Sequence, residues 1–274
     1  MTINCNGKLI DLSSPKVMGI LNVTPNSFFD GGKHSDEKAI LIQVEKMLSE
    51  GATFIDIGGY SSKPSAEFVS EEEELQRLLP VVQKVVKEFP EAIISIDTFR
   101  SNVAKVTIEN GAAIINDISA GNLDDKMLET VAKIQVPYIM IHMKGTPQSM
   151  QSMTQYENIV KEMVFYFSER VAKARSLGIN DLIIDPGFGF AKTLEQNFEV
   201  LSKLELFQML EFPILAGVSR KSMVYKTLET SAEFALNGTT SLNTIALLKG
   251  AKILRVHDVK EAVECVKLYN QLNH

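Results

Sequence analysis

Asp185 closes an aliphatic run, LIID at 182–185, with Pro-Gly-Phe-Gly-Phe directly behind it. A buried strand has no use for a charge at its end unless something there is to be hydrogen bonded. Asn116 sits near the end of a second such run, IINDIS at 114–119. A carboxylate accepts two parallel hydrogen bonds and an amide both donates and accepts, so together they suit a planar heterocycle with an amidine-like edge, as in guanine or pterin. Lys221 adds a donor for a ring carbonyl or nitrogen. Arg255 and His257 alternate in ILRVH (253–257) and therefore share a face, while Asn22 follows the first apolar run of the chain. Two cationic or donor side chains beside an amide suit a diphosphate, and Asn22 offers an oxygen to a hard divalent cation such as Mg²⁺. Arg255 can equally lie flat over an aromatic ligand.

These residues need elements that bring them together. Eight short apolar runs recur along the chain: 17–21, 54–59, 93–98, 114–119, 138–143, 182–186, 214–218 and 253–257. Segments of helical spacing follow at 36–50, 71–88, 100–110, 124–135, 155–177, 194–209, 231–249 and 259–272. Ser70 and Asp124 read as helix starts, and Gly51, Gly111, Gly178 and Gly250 as helix stops. Strand, helix and strand again imply parallel pairing with right-handed crossovers. Eight such units in about 250 residues predict a closed (β/α)₈ barrel, ahead of a doubly wound open sheet. Residues 1–16, with Asn6-Gly7 as a two-residue turn, read as a hairpin extension that plugs the barrel bottom, and 1–274 as one domain.

In a barrel of this kind the active site lies at the C-terminal mouth. Nearly every run here ends in polar residues: Asn22, Ser61-Ser62-Lys63, Asp97, Asn116 with Asp117, His142, Asp185, Ser219-Arg220-Lys221, and Arg255 with His257. Any one of them reads equally well as a helix cap, Asp97 before TFRSN above all, but eight in one mouth point to a site. His142 stays open between a ligand contact and a satisfied group behind the site; His34 and His274 receive no role. Two long loops, NVTPNSFFDGGKH (22–34) and GGYSSKPSAEFVS (58–70), have the length of lids or binding loops. The first carries Phe28, Phe29 and Asp30, the second Ser62, Lys63 and Pro64.

Composition limits the function classes. Apolar residues at 45% and charged residues at 23% are those of a globular enzyme-sized chain, and a formal charge of −6 without a basic stripe argues against nucleic acid. The N-terminus lacks a signal peptide's basic start, and no stretch reaches the roughly 18 apolar residues of a membrane span. With only Cys5 and Cys265, and no zinc spacing, the expectation is a soluble, unprocessed protein of the reducing cytoplasm.

The motifs, taken together, resemble the dihydropteroate synthase family, folate-pathway enzymes that join 4-aminobenzoate to a dihydropterin diphosphate. They are MGILNVTP (18–25), IDTFRS (96–101), INDISAG (115–121), HMKGTPQSMQ (142–151), DPGFGFAKT (185–193), SRKS (219–222) and RVHDV (255–259), in order across nearly the whole chain. The resemblance implies that Asp97, Asn116, Asp185 and Lys221 hold the pterin, with Ile118, Met140, Phe190 and Arg255 against its faces. It implies that Asn22, Ser62, Arg255 and His257 hold the diphosphate, with Mg²⁺ near Asn22. Phe28, Ser62, Pro64, Phe190, Ser219 and Lys221 would shape the 4-aminobenzoate pocket, and Asp30 would act on the developing cation or the amine. It also implies a homodimer. The loops depart from the family pattern at Asn26, Phe29, Tyr60, Ser62, Lys63 and Ser65, where an acid is expected at position 60 and an arginine at 63. Two other readings share some of these residues: a methyltetrahydrofolate-binding corrinoid methyltransferase domain, which has no use for a diphosphate clamp, and a pterin-binding barrel without catalysis.

Overall fold

The structure is a computed structural model that describes residues 1–23, 33–60 and 69–272. β1 (Thr2–Cys5) and β2 (Lys8–Asp11) form the expected antiparallel hairpin. Asn6 and Gly7 both take positive φ, +50° and +85°, the handedness that a two-residue turn between twisted strands requires.

The barrel strands are β3 (Lys16–Asn22), β4 (Phe54–Gly58), β5 (Ile93–Asp97), β6 (Ile114–Asp117), β7 (Tyr138–Ile141), β8 (Leu182–Asp185), β9 (Ile214–Ala216) and β10 (Ala251–Val256). All pair in parallel with their neighbours in sequence, and β10 closes on β3. Around them lie α1 (Lys33–Ser49), α2 (Glu71–Glu88), α3 (Ser101–Glu109), α4 (Met127–Ile134), α5 (Ile159–Ser176), α6 (Leu194–Ser202), the single turn α7 (Ser222–Tyr225), α8 (Leu236–Leu248) and α9 (Val259–Leu272).

Two helix readings change in detail. The segment expected at 194–209 breaks into α6 and a 3₁₀ stretch, Leu204–Leu210. Asp124 serves two helix starts: its Oδ1 accepts from Lys126 N at 2.9 Å just before α4, and its Oδ2 accepts from Ser101 N at 2.7 Å at the head of α3. Ser70 does cap α2, its Oγ accepting from Glu73 N at 3.2 Å.

The interior is arranged in two tiers, which follow from side-chain alternation along a strand. The lower tier takes one buried apolar residue from every strand: Met18, Phe54, Ile93, Ile114, Ile139, Ile183, Leu215 and Ile253. Ile3, Cys5, Ile10 and Leu12 of the hairpin belong to the same cluster, and Asn4 N and Asn6 Nδ2 reach Asp181 and Ala112 beneath the strands. The hairpin therefore plugs the barrel bottom. Two residues further along, the inward positions become Ile20, Asp56, Ser95, Asn116, Ile141, Asp185, Gly217 and Arg255. Polarity thus switches on within one tier.

Phe54 is fully buried where barrel and plug meet. Phe54→Ala is expected to destabilise the chain by about 3–5 kcal/mol, read by denaturant unfolding. A loss below about 1 kcal/mol would show that the lower tier is not a filled core.

Candidate functional site

Strand register lines up Asn22, Gly58, Asp97 and Asn116 across β3, β4, β5 and β6. A Cβ built on Gly58 would lie 3.5 Å from Asp97 Cβ and 3.9 Å from Asn22 Oδ1, so these two side chains converge over that glycine. On the other side of the ring, a Cβ on Gly217 would lie 3.9 Å from both Asp185 Oδ2 and Arg255 Cβ. Glycine there leaves the space between the Asp185 carboxylate and the base of the Arg255 side chain without a side chain of its own.

The centre of the network is Asp56, which the sequence analysis does not single out. Its Oδ1 accepts from Ser95 Oγ at 2.6 Å; its Oδ2 accepts from Arg255 Nε at 2.6 Å and from Asn116 Nδ2 at 3.1 Å. Arg255 Nη2 donates to Asp97 Oδ2 at 2.6 Å. Burial pulls the Arg255 pKa down, but Asp56 and Asp97 outweigh it and hold the guanidinium above its ordinary value. Asp97 moves the other way: burial pushes its carboxyl up to about 7 against the pull of Arg255. A quarter of the Asp97 side chain still meets solvent, which moderates that effect. With Nδ2 committed to Asp56, Asn116 Oδ1 is buried and has no hydrogen-bond partner among the described residues. An orphaned buried acceptor asks for a donor from elsewhere.

Asp185 is buried, with Oδ1 accepting from Gly187 N at 2.7 Å. Burial raises its pKa, opposed by Lys221 and that backbone bond. The Lys221 ammonium donates to the Phe188 carbonyl and lies 4.6 Å from the Phe190 ring centroid. Burial brings its pKa down to about 8, with Asp185 holding it up. Ser219 Oγ is 3.0 Å from His257 Nδ1 and accepts from His257 N at 3.2 Å, which ties the ends of β9 and β10.

Several expected residues stand elsewhere. Met140 belongs to the outer layer, packed with Tyr138 and Ile184 beneath the helices; alternation gives the inward place to Ile141. Asp117 also points outward, accepting from Tyr138 Oη at 2.6 Å and from Ser119 N and Gly121 N. Arg220 turns from the mouth to pair with Asp258 through Nε and Nη2 at 2.9 and 2.8 Å. Asp97 is not a helix cap, since the start of α3 is served by Asp124. Ile118 is buried on the inner side. Tyr60, where an acid was expected, sets its ring edge-on to Phe99 at 5.6 Å and accepts from Gln148 Nε2 at 3.0 Å. Phe28, Asp30, Ser62 and Pro64 lie outside the described residues, as do Asn26, Phe29, Lys63 and Ser65.

A carboxylate, an unpaired amide oxygen, an ammonium and a guanidinium thus face one space above a sealed core. The family model for pterin binding enzymes matches residues 18–257. The chain belongs to the pterin-binding enzyme family. A dihydropteroate synthase of Haemophilus influenzae is 42% identical over 271 residues, which cover 98% of this chain and 98% of that relative. Among solved structures, Xanthomonas albilineans dihydropteroate synthase with 4-aminobenzoic acid superposes with a TM-score of 0.92 at 36% identity, covering 99% of this chain and 98% of that one. The same enzyme in complex with 7,8-dihydropteroate gives a TM-score of 0.89 at 34% identity, covering 100% and 99%.

Asp97 supplies a pH test of this family site. A carboxyl whose pKa rises from 3.8 to about 7 on folding favours the folded chain when protonated, and that contribution is lost as pH climbs through this window. Asp97→Asn is therefore expected to gain stability relative to wild type as pH rises across the same window, in paired thermal melts. A pH-independent difference between the two proteins would contradict the shift.

Proposed function

We infer that the chain carries out the dihydropteroate synthase reaction, condensing 4-aminobenzoate with (7,8-dihydropterin-6-yl)methyl diphosphate to give 7,8-dihydropteroate and diphosphate. The whole-length similarity to enzymes of that name supports the reaction. The observation that carries the site assignment is the pairing of the Asp185 carboxylate with the orphaned Asn116 Oδ1 in one polar tier. Two acceptors so placed suit the 2-amino and ring N–H edge of a pterin. Lys221 would turn from the Phe188 carbonyl to the ring, and Phe190, Ile118 and Ile141 would pack on its faces.

Arg255 enters the mechanism differently from a simple clamp. Nε and Nη2 already serve Asp56 and Asp97, which leaves Nη1 and the flat face of the guanidinium to meet substrate. We assign it to stacking on the pterin with one nitrogen toward the diphosphate, alongside His257, Ser62 and Asn22. In the reaction the methylene C–O bond breaks toward the diphosphate and the neutral arylamine nitrogen forms the new C–N bond, then gives up one proton. The electron-rich dihydropterin shares the positive charge on that carbon, and donors at the diphosphate take up the charge of the leaving group. Phe28, Ser62, Pro64, Phe190, Ser219 and Lys221 are proposed to shape the 4-aminobenzoate side, with Asp30 stabilising the cation or orienting the amine.

Among the described residues no group of three His, Cys, Asp or Glu is placed to hold a metal. Asn22 offers one neutral oxygen on the exposed rim, a donor set that fits Mg²⁺ when substrate phosphates and water complete the shell. Bound there, Mg²⁺ would neutralise charge on the diphosphate. A homodimer through outer helices is supported by exposed Ile245 and Leu248 on α8 and Leu268 and Leu272 on α9, two helices that pack on each other. No helix of the described chain is long and apolar enough to cross a membrane. Free Cys5 and Cys265 accord with a reducing cytoplasm.

Mixing the protein with both substrates and Mg²⁺ is expected to release diphosphate in step with 7,8-dihydropteroate, and absence of both products would refute the assignment. Asp185→Asn should weaken dihydropterin diphosphate binding about 10- to 100-fold, the worth of hydrogen bonds to a charged group, in a direct titration. Near-normal binding by that variant would remove Asp185 from the recognition edge.

A further inference from the structure

Behind the site, and unused by the chemistry above, a lysine is buried with its amine among neutral acceptors. Lys192 is 5% exposed, and its Nζ lies 3.1 Å from His142 Nδ1, 3.0 Å from the Gly187 carbonyl and 3.1 Å from the Phe190 carbonyl. The segment it grips is the turn that follows β8. Gly187, Gly189 and Ala191 all take positive φ, +68°, +84° and +49°, and the last of these is an L-residue for which that conformation is costly. A Cβ on Gly187 would fall 2.2 Å from the His142 carbonyl, so the turn is pressed against the end of β7. In this winding the Gly187 carbonyl accepts from Phe190 N at 3.1 Å, and Lys192 donates a further hydrogen bond to it and one to the Phe190 carbonyl.

We propose that Lys192 is a positioning residue for the pterin half of the site, joining the end of β7 through His142 to the turn that presents Asp185 and Phe190. The inference rests on the functional reading above. His142 is suited to its part: its backbone N–H donates to the Asp185 carbonyl at 2.9 Å, and its ring is wedged 4.9 Å from the Tyr166 ring. Burial and the nearby Lys192 charge hold the imidazole well below its ordinary pKa, so it is neutral and its Nδ1 accepts from the ammonium. Two lysines thus hold successive parts of one turn. Lys221 takes the Phe188 carbonyl from the mouth, and Lys192 takes the carbonyls of Gly187 and Phe190 from beneath. When a ring draws Lys221 to itself, the lower grip remains.

The lower lysine also acts through its charge. Burial lowers its pKa to about 7, with Asp185 holding it up against Lys221 and Lys144. Reciprocally, Asp185 is raised by burial and drawn back by Lys221, the Gly187 amide, Arg255 and Lys192. The titratable and charged groups around the pair are therefore Lys221 and Arg255 on the mouth side, and His142, Lys144, Tyr156 and Tyr166 on the outer side. Removing the Lys192 cation leaves Asp185 protonated up to a higher pH, which a mere loss of packing would not do.

The test uses the full chain with Lys192→Met, which keeps the length of the side chain and removes the charge. Binding of 6-hydroxymethyl-7,8-dihydropterin is followed by fluorescence against pH, without 4-aminobenzoate, and KM is measured for each substrate. The expected result is pterin binding weakened about tenfold, an acid limb displaced to higher pH, and a 4-aminobenzoate KM changed by less than about threefold. Equal losses for both substrates, or an unmoved acid limb, would overturn the proposal. Should the variant fail to fold, ¹⁵N resonances of His142 in the wild-type protein decide: an unprotonated Nδ1 is expected, and a protonated Nδ1 would refute the clamp. Failure of the wild-type protein to bind the dihydropterin would instead count against the functional reading.

Discussion

A guanidinium cannot be taken into a barrel without partners, and the mouth of this one is organised around that requirement. Arg255 reaches across the ring from β10 to Asp56 on β4 and Asp97 on β5, and Asp56 in turn fixes Ser95 and Asn116. Unpaired, any of these charges would cost several kcal/mol; paired, they lock the relative placement of four strands. The pairing also decides what is left over. Asn116 turns its amide nitrogen to Asp56, and so its buried oxygen is left without a partner among the described residues.

That leftover set is what makes the tier useful. Donors and acceptors already fixed by one another need no reorganisation when a ligand arrives, which is the condition for electrostatic stabilisation of developing charge. The lower tier, sealed by the hairpin, keeps water from reaching these charges from below. Gly217 in this tier and Gly58, two positions beyond Asp56 on β4, carry no side chains, and at both a Cβ would approach the acidic groups.

The barrel was legible because strand and helix periods alternate eight times, and the 71–88 and 259–272 helices fall where their patterns place them. The polar strand ends were legible as a group but not one by one. A residue's inward or outward facing depends on a shift of a single position, which exchanges Asn116 with Asp117 and Ile141 with Met140. Asp56 was legible in principle: it stands in phase with Gly58 in FIDIG, a charge inside a run otherwise fit for burial. It lies before the strand end, away from the polar residues that mark the mouth in the sequence. Lys192 was hidden for a different reason. Its burial follows from three left-handed residues in the turn before it, and such a turn reads in sequence only as Gly-rich loop chemistry. Asp124 shows a third limit, since a cap supplied by a distant loop leaves no local spacing to read.

A structure of this chain with a dihydropterin bound would test the central claim most directly. The account predicts the ring in the polar tier, its amino and ring N–H edge on the Asp185 carboxylate and Asn116 Oδ1, and its plane along Arg255 still paired to Asp56. A ring seated elsewhere, with Asn116 Oδ1 unpartnered beside it, would contradict it.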